Sequence, residues 1–457
     1  RILYRKNYTA PLFNVAEELG PSTNTAVPPQ NMWTIFLPPN DVLQKYLDDT
    51  VLKYYDSLDS VPRVTLYYIL QTQLSARLVV MSALEKGYFN AFGDAMNIPK
   101  SDIASGFMCS NGVVYESKKV LEPNVFTCVP GLLFIDKDYT TLLYALNAAN
   151  MLSSLSNPDS HVTLFASTNE QLEKYGIRYN ATNAIIEFRS PANGKWNPMS
   201  STDLNLFAQD QIYKGRLSDF SGDGTFVELT SGNYLRYADN KIAAAENQFK
   251  NDIAGVTDVI ENERNGFLVK VDRPVESRLV MGDYLMSDPE VSDFAKLLTA
   301  ANLLARAQYT DTREVYYNLK FLAAAKYWTG FIPTNSAMKK ARDEGFINIP
   351  ALPTTGWYSK LSAAGKDSVN SFIMYHFVKD DVVFDDGKLS GNLNTNRTYK
   401  NAEGKTVNAT VKVSNIPKNL SLYDVSEQVV YLNPAKANIL VRKGSCHKID
   451  TVLKYYK

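Results

Sequence analysis

The sequence predicts a mixed helix-and-strand fold built three times along one chain. Three observations carry this reading. The chain has 457 residues, too many for one ordinary core. A short apolar strand followed by a helix-like segment returns at three places, and a Gly-led closing strand returns after each of them.

The opening block reads Thr34-Ile-Phe-Leu-Pro-Pro-Asn40, then Thr163-Leu-Phe-Ala-Ser-Thr-Asn169, then Thr329-Gly-Phe-Ile-Pro-Thr-Asn335. A short apolar run with a central Phe suits a buried strand. Pro or Thr ends it, and the Asn side-chain oxygen is expected to cap the helix that follows. That helix carries an apolar anchor at Leu43, Leu172 or Met338 and a lysine at Lys45, Lys174 or Lys340.

The closing block begins at Asn111-Gly112, Asn265-Gly266 and Gly444. Glycine there is expected to serve a tight turn or bulge, and the apolar alternation beyond it suits a half-buried strand. A third block is helical. Leu146-Asn-Ala-Ala-Asn150 matches Leu298-Thr-Ala-Ala-Asn302, and Phe294, Leu297, Leu298, Ala301 and Leu304 recur at helical spacing behind Ser292 as a cap. The first repeat has only a weak equivalent in residues 12–19. An extra segment of the third repeat, residues 309–326, is rich in helix formers, and residues 123–134 and 275–287 read as linkers.

Composition excludes several functions. Lys+Arg and Asp+Glu both total 48, so no net field draws the chain to nucleic acid or anionic lipid. No apolar run is long enough for a membrane-spanning helix. The chain begins at Arg1 without Met and is read as a mature or trimmed form. Three cysteines, Cys109, Cys128 and Cys446, form no CxxC pair and are expected as buried thiols, with a Cys109–Cys128 disulfide as the alternative. No metal site is expected from three scattered histidines, and Asp380, Asp381, Asp385 and Asp386 lack the spacing of a calcium loop, with residues 382–384 between them reading as a strand. Neither a Gly-x-Ser-x-Gly elbow nor a phosphate-binding Gly loop occurs. The Asn-x-Ser/Thr triplets at Asn7, Asn180, Asn396, Asn408 and Asn419 matter only in a eukaryotic secretory pathway.

In this order the blocks resemble the fasciclin domain family, whose members carry a Thr-x-Phe-x-Pro-Thr-Asn strand, a Tyr-His element and a His-x-Ile-Asp-x-Val-Leu closing strand. The third repeat has all three: Thr329 to Asn335, Met374-Tyr375-His376-Phe377-Val378, and His447-Lys-Ile-Asp450-Thr-Val-Leu453. In the first repeat Tyr68 stands for the histidine and the closing Asp is missing; in the second, Gln211 stands there while Asp272 is kept.

The resemblance implies an α+β architecture of three tandem fasciclin-like domains, each a twisted β-sandwich or wedge with flanking short helices, over residues 1–132, 133–287 and 288–457. It also implies a non-enzymatic, extracytoplasmic adhesion protein, without cofactor, that binds an extracellular protein or surface glycan. The tandem form is similar to Bacteroidetes surface lipoproteins, which implies an outer-membrane location through a lipid anchor upstream of Arg1. A carbohydrate-binding accessory lipoprotein of a glycan-uptake system is the alternative. The binding candidates are Tyr375 and His376, set against a core role, and the aromatic platforms Trp196, Trp328 and Trp357. His447 is expected to pack internally and His161 to face solvent.

Overall fold

The computed structural model describes residues 32–109, 111–191, 193–262, 264–308, 315–351, 353–354 and 356–456. The weak helix expected at residues 12–19 lies outside them. By compactness the chain divides into two units. One holds the described residues up to Val162 with Thr168–Glu170 and Glu261–Leu268; the other holds Thr163–Ser167, Gln171–Ile260 and the described residues from Val269 onward.

Each opening block forms a strand: Trp33–Leu37, Val162–Ala166 and Trp328–Pro333. Each closing block forms another, at Gly112–Ser117, Gly266–Val271 and Gly444–Ile449, and lies beside its opening strand in a sheet. In the first and third repeats the two strands run parallel, with Trp33 opposite Gly112 and Trp328 opposite Gly444. The close approach explains the glycines. A Cβ at Gly112, Gly266 or Gly444 would collide with the carbonyl oxygen of Trp33, Val162 or Trp328. Only Gly266 of the three has a positive φ, +146°. Contact with the neighbouring strand, rather than the turn expected from sequence, is what excludes a side chain at all three.

The threonine of each opening strand has the same task. Thr34 Oγ1 donates to Arg77 O and accepts from Val79 N–H. Thr163 does so with Gly215 and Leu217, and Thr329 with Asp381 and Val383, all at 2.8–2.9 Å. A buried hydroxyl thus satisfies two backbone groups of a loop that has no ladder of its own. This is why residues 382–384 are not a strand, although Val383 and Phe384 are buried.

The repeated asparagines cap, but they cap a different helix. Asn335 is the first residue of its helix, Asn335–Asp343, whose N-cap is Thr334. Its side chain instead accepts from Asp293 N–H at 2.9 Å and donates to Pro289 O at 2.8 Å, holding the start of the helix Ser292–Ala300. Asn169 treats Thr141 N–H and Lys137 O the same way, at the start of Thr140–Ala148.

Those two helices end alike. Asn150 and Asn302 adopt φ of 57° and 58°, while Met151 N–H bonds Leu146 O and Leu303 N–H bonds Leu298 O, a Schellman close. The helical spacing read through Leu304 therefore stops early, and Leu304 opens the strand Leu304–Gln308. That strand pairs with Val315–Leu319, so this part of the extra segment, which read as helix-forming, is strand, and residues 309–314 lie outside the described residues. Nor are the two expected linkers loose. Residues 123–134 form the turn Asn124–Thr127 and the helix Gly131–Ile135 with Val125, Leu133 and Phe134 buried, because Pro130-Gly131 starts a helix rather than a turn. In residues 275–287, Val275 and Leu279 are buried and Met281–Ser287 is helical.

The last repeat carries an eight-stranded sheet in the order Val429–Tyr431, Ser421–Tyr423, Thr406–Ser414, Gly391–Lys400, Phe377–Lys379, Trp328–Pro333, Gly444–Ile449, Ile439–Val441. Its core gathers Phe331, Phe372, Tyr375, Phe377, Val411 and Leu453, all essentially inaccessible. Among the described residues no helix is long and apolar enough to cross a membrane.

Candidate functional site

The Tyr-His element lies where the helix Ala363–Tyr375 passes into the strand Phe377–Lys379. His376 is the C-cap and is fully buried. Its Nδ1 lies 2.8 Å from Phe372 O and its Nε2 accepts from Leu453 N–H at 3.0 Å. Those partners fix the neutral Nδ1–H tautomer, and burial lowers the pKa to about 4.

Gln211 does this work in the second repeat: Nε2 donates to Phe207 O and Val275 O while Oε1 accepts from Val275 N–H. In the first repeat the position belongs to Gln73, bonded to Ile69 O and to both backbone groups of Leu121. The assignment to Tyr68 is thereby corrected. Tyr68 sits inside the helix Arg63–Thr72, stacked on Phe92 at 4.4 Å. A glutamine amide offers the same donor–acceptor pair as a neutral imidazole, so two residue types fasten the same joint in three repeats.

Tyr375 is also fully buried, and its hydroxyl donates to Thr410 O at 2.8 Å. Both residues of the element face the core. His447 is buried too, with Nε2 2.9 Å from Val383 O and Nδ1 accepting from Asn438 N–H, while His161 is exposed.

Trp196 belongs to the strand Trp196–Pro198 of a three-stranded sheet and is half-buried. The guanidinium of Arg178 lies 4.1 Å from its ring centroid, and Glu187 holds that guanidinium by hydrogen bonds of 2.8–2.9 Å. One face of the indole is therefore covered by a fixed cation. Trp328 is buried with its indole N–H on Ala323 O, and Trp357 packs against the core.

The thiols divide differently from the expectation. All three are free; Cys128 and Cys446 are buried, but Cys109 is exposed near the tip of the hairpin formed by Ile103–Cys109 and Gly112–Ser117. Among the described residues no group of three or more His, Cys, Asp or Glu side chains is placed to hold a metal ion.

Two of the concave regions among the described residues, both in the second unit, bear on binding. One, of about 590 Å³, is lined by Tyr175, Phe207, Asp210, Lys250, Glu276 and Asp283 among others. Its charges are largely committed. Asp210 accepts from Ser231 and Asn233, Lys250 pairs with Glu246 at 3.0 Å, and Asp283 accepts from Tyr317 N–H. Burial pushes Asp210 and Asp283 up to about 6.

The other, of about 810 Å³, opens over the long hairpin Gly391–Lys400 and Thr406–Ser414. A bulge between Asn394 and Thr398 displaces Arg397 from the ladder. Its guanidinium rests 5.6 Å from the Tyr399 ring centroid and 5.2 Å from that of Tyr455. Its Nε is shut off from solvent without an acceptor. Across the cleft the Lys412 ammonium lies 5.3 Å from the centroid of Tyr423. Asp424 also lines the cleft, but its carboxylate is already taken by the backbone N–H groups of Ser426, Gln428 and Lys454. No local pattern marks this group, because a bulge and two strand pairings bring it together.

No family model matches the chain, and no curated protein matches it. Among solved structures, a FAS1 domain pair from the insect cell adhesion molecule fasciclin I aligns at 13% identity with a TM-score of 0.29, over 69% of this chain and 97% of that one.

Proposed function

We propose that the chain is a tandem fasciclin-like protein of the cell exterior that works by binding rather than by catalysis. One observation carries this reading: the buried polar side chains that recur from repeat to repeat are bonded inward. Thr34, Thr163 and Thr329 hold loops, and Gln73, Gln211 and His376 fasten closing segments. What repeats is scaffold, and the groups left open lie on surfaces such as the Arg397 cleft. Tandem copies on one chain would raise the effective concentration of weak contacts at a surface.

The test is binding of the purified full chain to whole cells, extracellular matrix and an array of glycans. Saturable attachment to at least one of these supports the reading; turnover of a substrate in a broad hydrolase screen, with no attachment anywhere, overturns it. A second reading, a carbohydrate-binding lipoprotein of a glycan-uptake system, draws on the two tyrosine rings flanking the same cleft. A cysteine-containing lipobox ahead of Arg1 and metabolic labelling with a fatty acid would support the anchor.

A further inference from the structure

We infer that the cleft over the hairpin Gly391–Lys400 and Thr406–Ser414 binds a carboxylate-bearing saccharide, with Arg397 receiving the carboxylate. The inference deepens the binding reading above and rests on it.

A guanidinium carries five N–H donors, and inside proteins they are usually matched by carboxylates or carbonyls. Arg397 is half-buried, makes no hydrogen bond or ion pair among the described residues, and has its Nε cut off from water. Leaving Nε unmatched costs free energy, and the terminal N–H groups of the guanidinium, which have no protein acceptor among the described residues, are the ones open to a ligand. The rings of Tyr399 and Tyr455, 5.6 and 5.2 Å away, flank the guanidinium and limit the freedom it loses when a ligand arrives.

The surroundings select the ligand. Lys412 supplies a second cation with no carboxylate at ion-pair distance among the described residues, and Asp424 is occupied by backbone N–H groups. Glu427 lines the cleft as well, yet neither it nor Asp424 forms an ion pair with Arg397 or Lys412 among the described residues, so both cations stay open to a ligand. A planar carboxylate fits the fork of an arginine by two parallel hydrogen bonds. Tyr399 and Tyr423 offer apolar faces with polar tips, and Asn392 and Thr410 offer neutral hydrogen-bonding groups. That combination suits a ring that is apolar on its faces, hydroxylated at its rim and acidic at one carbon, which describes a uronic acid unit. An extended acidic peptide would ask for backbone partners that the cleft floor does not present, since Thr410 O is already taken by Tyr375.

The experiment is calorimetric titration of the full chain with oligogalacturonate, with its methyl ester, and with an oligoglutamate peptide. The expected result is saturable binding to oligogalacturonate, at least tenfold weaker for the ester and for Arg397→Gln. Arg397→Lys, which keeps the charge but not the fork, should recover part of the loss. Melting temperatures of both variants check the fold. Equal binding by the ester, undiminished binding by a folded Arg397→Gln, or tighter binding to oligoglutamate would each overturn the assignment. Attachment of the wild type and of Arg397→Gln to cells and arrays separates the two readings. Attachment that survives the substitution removes this site and keeps the binding function; uronate binding without any surface attachment does the reverse.

Discussion

The imidazole Nε2 of His376 accepts a hydrogen bond from the backbone N–H of Leu453, 3.0 Å away and 77 residues later in the chain. The bond joins the end of the helix Ala363–Tyr375 to the segment that follows the closing strand. Because Gln211 makes the matching bond to Val275, His376→Gln should keep the third repeat folded with a change within about 1 kcal/mol. His376→Ala leaves Leu453 N–H unsatisfied beside a void and should cost about 3 kcal/mol. Urea unfolding of the two variants measures the difference, and equal losses would contradict the joint described.

Stability should depend on pH through two opposed pairs. His376 and His447 have folded pKa values near 4, below the ordinary 6.5. Each contributes stability fully above pH 6.5, on the order of 3 kcal/mol at 1.36 kcal/mol per unit, and loses it as pH falls towards 4. Asp210 and Asp283, raised from 3.8 to about 6, act the other way: their contribution is full below pH 3.8 and is lost as pH rises through 6. Between pH 4 and 6 these four groups largely offset one another. Asp210→Asn with Asp283→Asn should uncover a steep fall in urea midpoint from pH 6.5 to 4. An unchanged slope would place the titration elsewhere.

Glycine at the head of the closing strand should resist even the smallest substitution. Gly444→Ala drives a methyl group into the carbonyl oxygen of Trp328 and should destabilise by about 3 kcal/mol through forced strand separation. Gly345→Ala is a contrasting control, since that residue has open space around it and its φ of +70° alone sets the penalty, about 1 kcal/mol. Thermal unfolding should rank them in that order.

One thiol should react in the native protein. Cys109 is exposed, whereas burial raises the pKa of Cys128 and of Cys446 and hides both sulfurs. A maleimide reagent followed by mass spectrometry should add a single label to the folded chain and three after denaturation, with Cys109→Ser abolishing the native label.

The backbone plan was largely legible before the structure. Thr-x-Phe strands, closing strands and the Ala-Ala-Asn helices stand where their patterns put them, since each is encoded within about ten residues. What failed was partnership over distance. Asn169 and Asn335 read as caps from their sequence, but a local rule cannot say which helix receives the side chain. Tyr68 passes for the joint residue in the sequence because an aromatic dipeptide resembles Tyr-His, while Gln73 imitates histidine only in its hydrogen bonds. Arg397 was invisible for a similar reason. Its significance comes from partners it lacks, and those depend on a bulge and on the register that sets Lys412 opposite Tyr423.

The placement of the opening and closing strands also bears on how the protein would carry load. In the third repeat they run parallel over six residue pairs, Trp328 with Gly444 through Pro333 with Ile449. Tension applied to the two ends of that ladder drags one strand against the other along their length. The bonds must then yield together, as a shear clamp does, instead of parting one after another like a zip. A molecule holding a cell against flow would fail last at this seam, and stretching single chains between a surface and a cantilever would reveal it as the highest force peak.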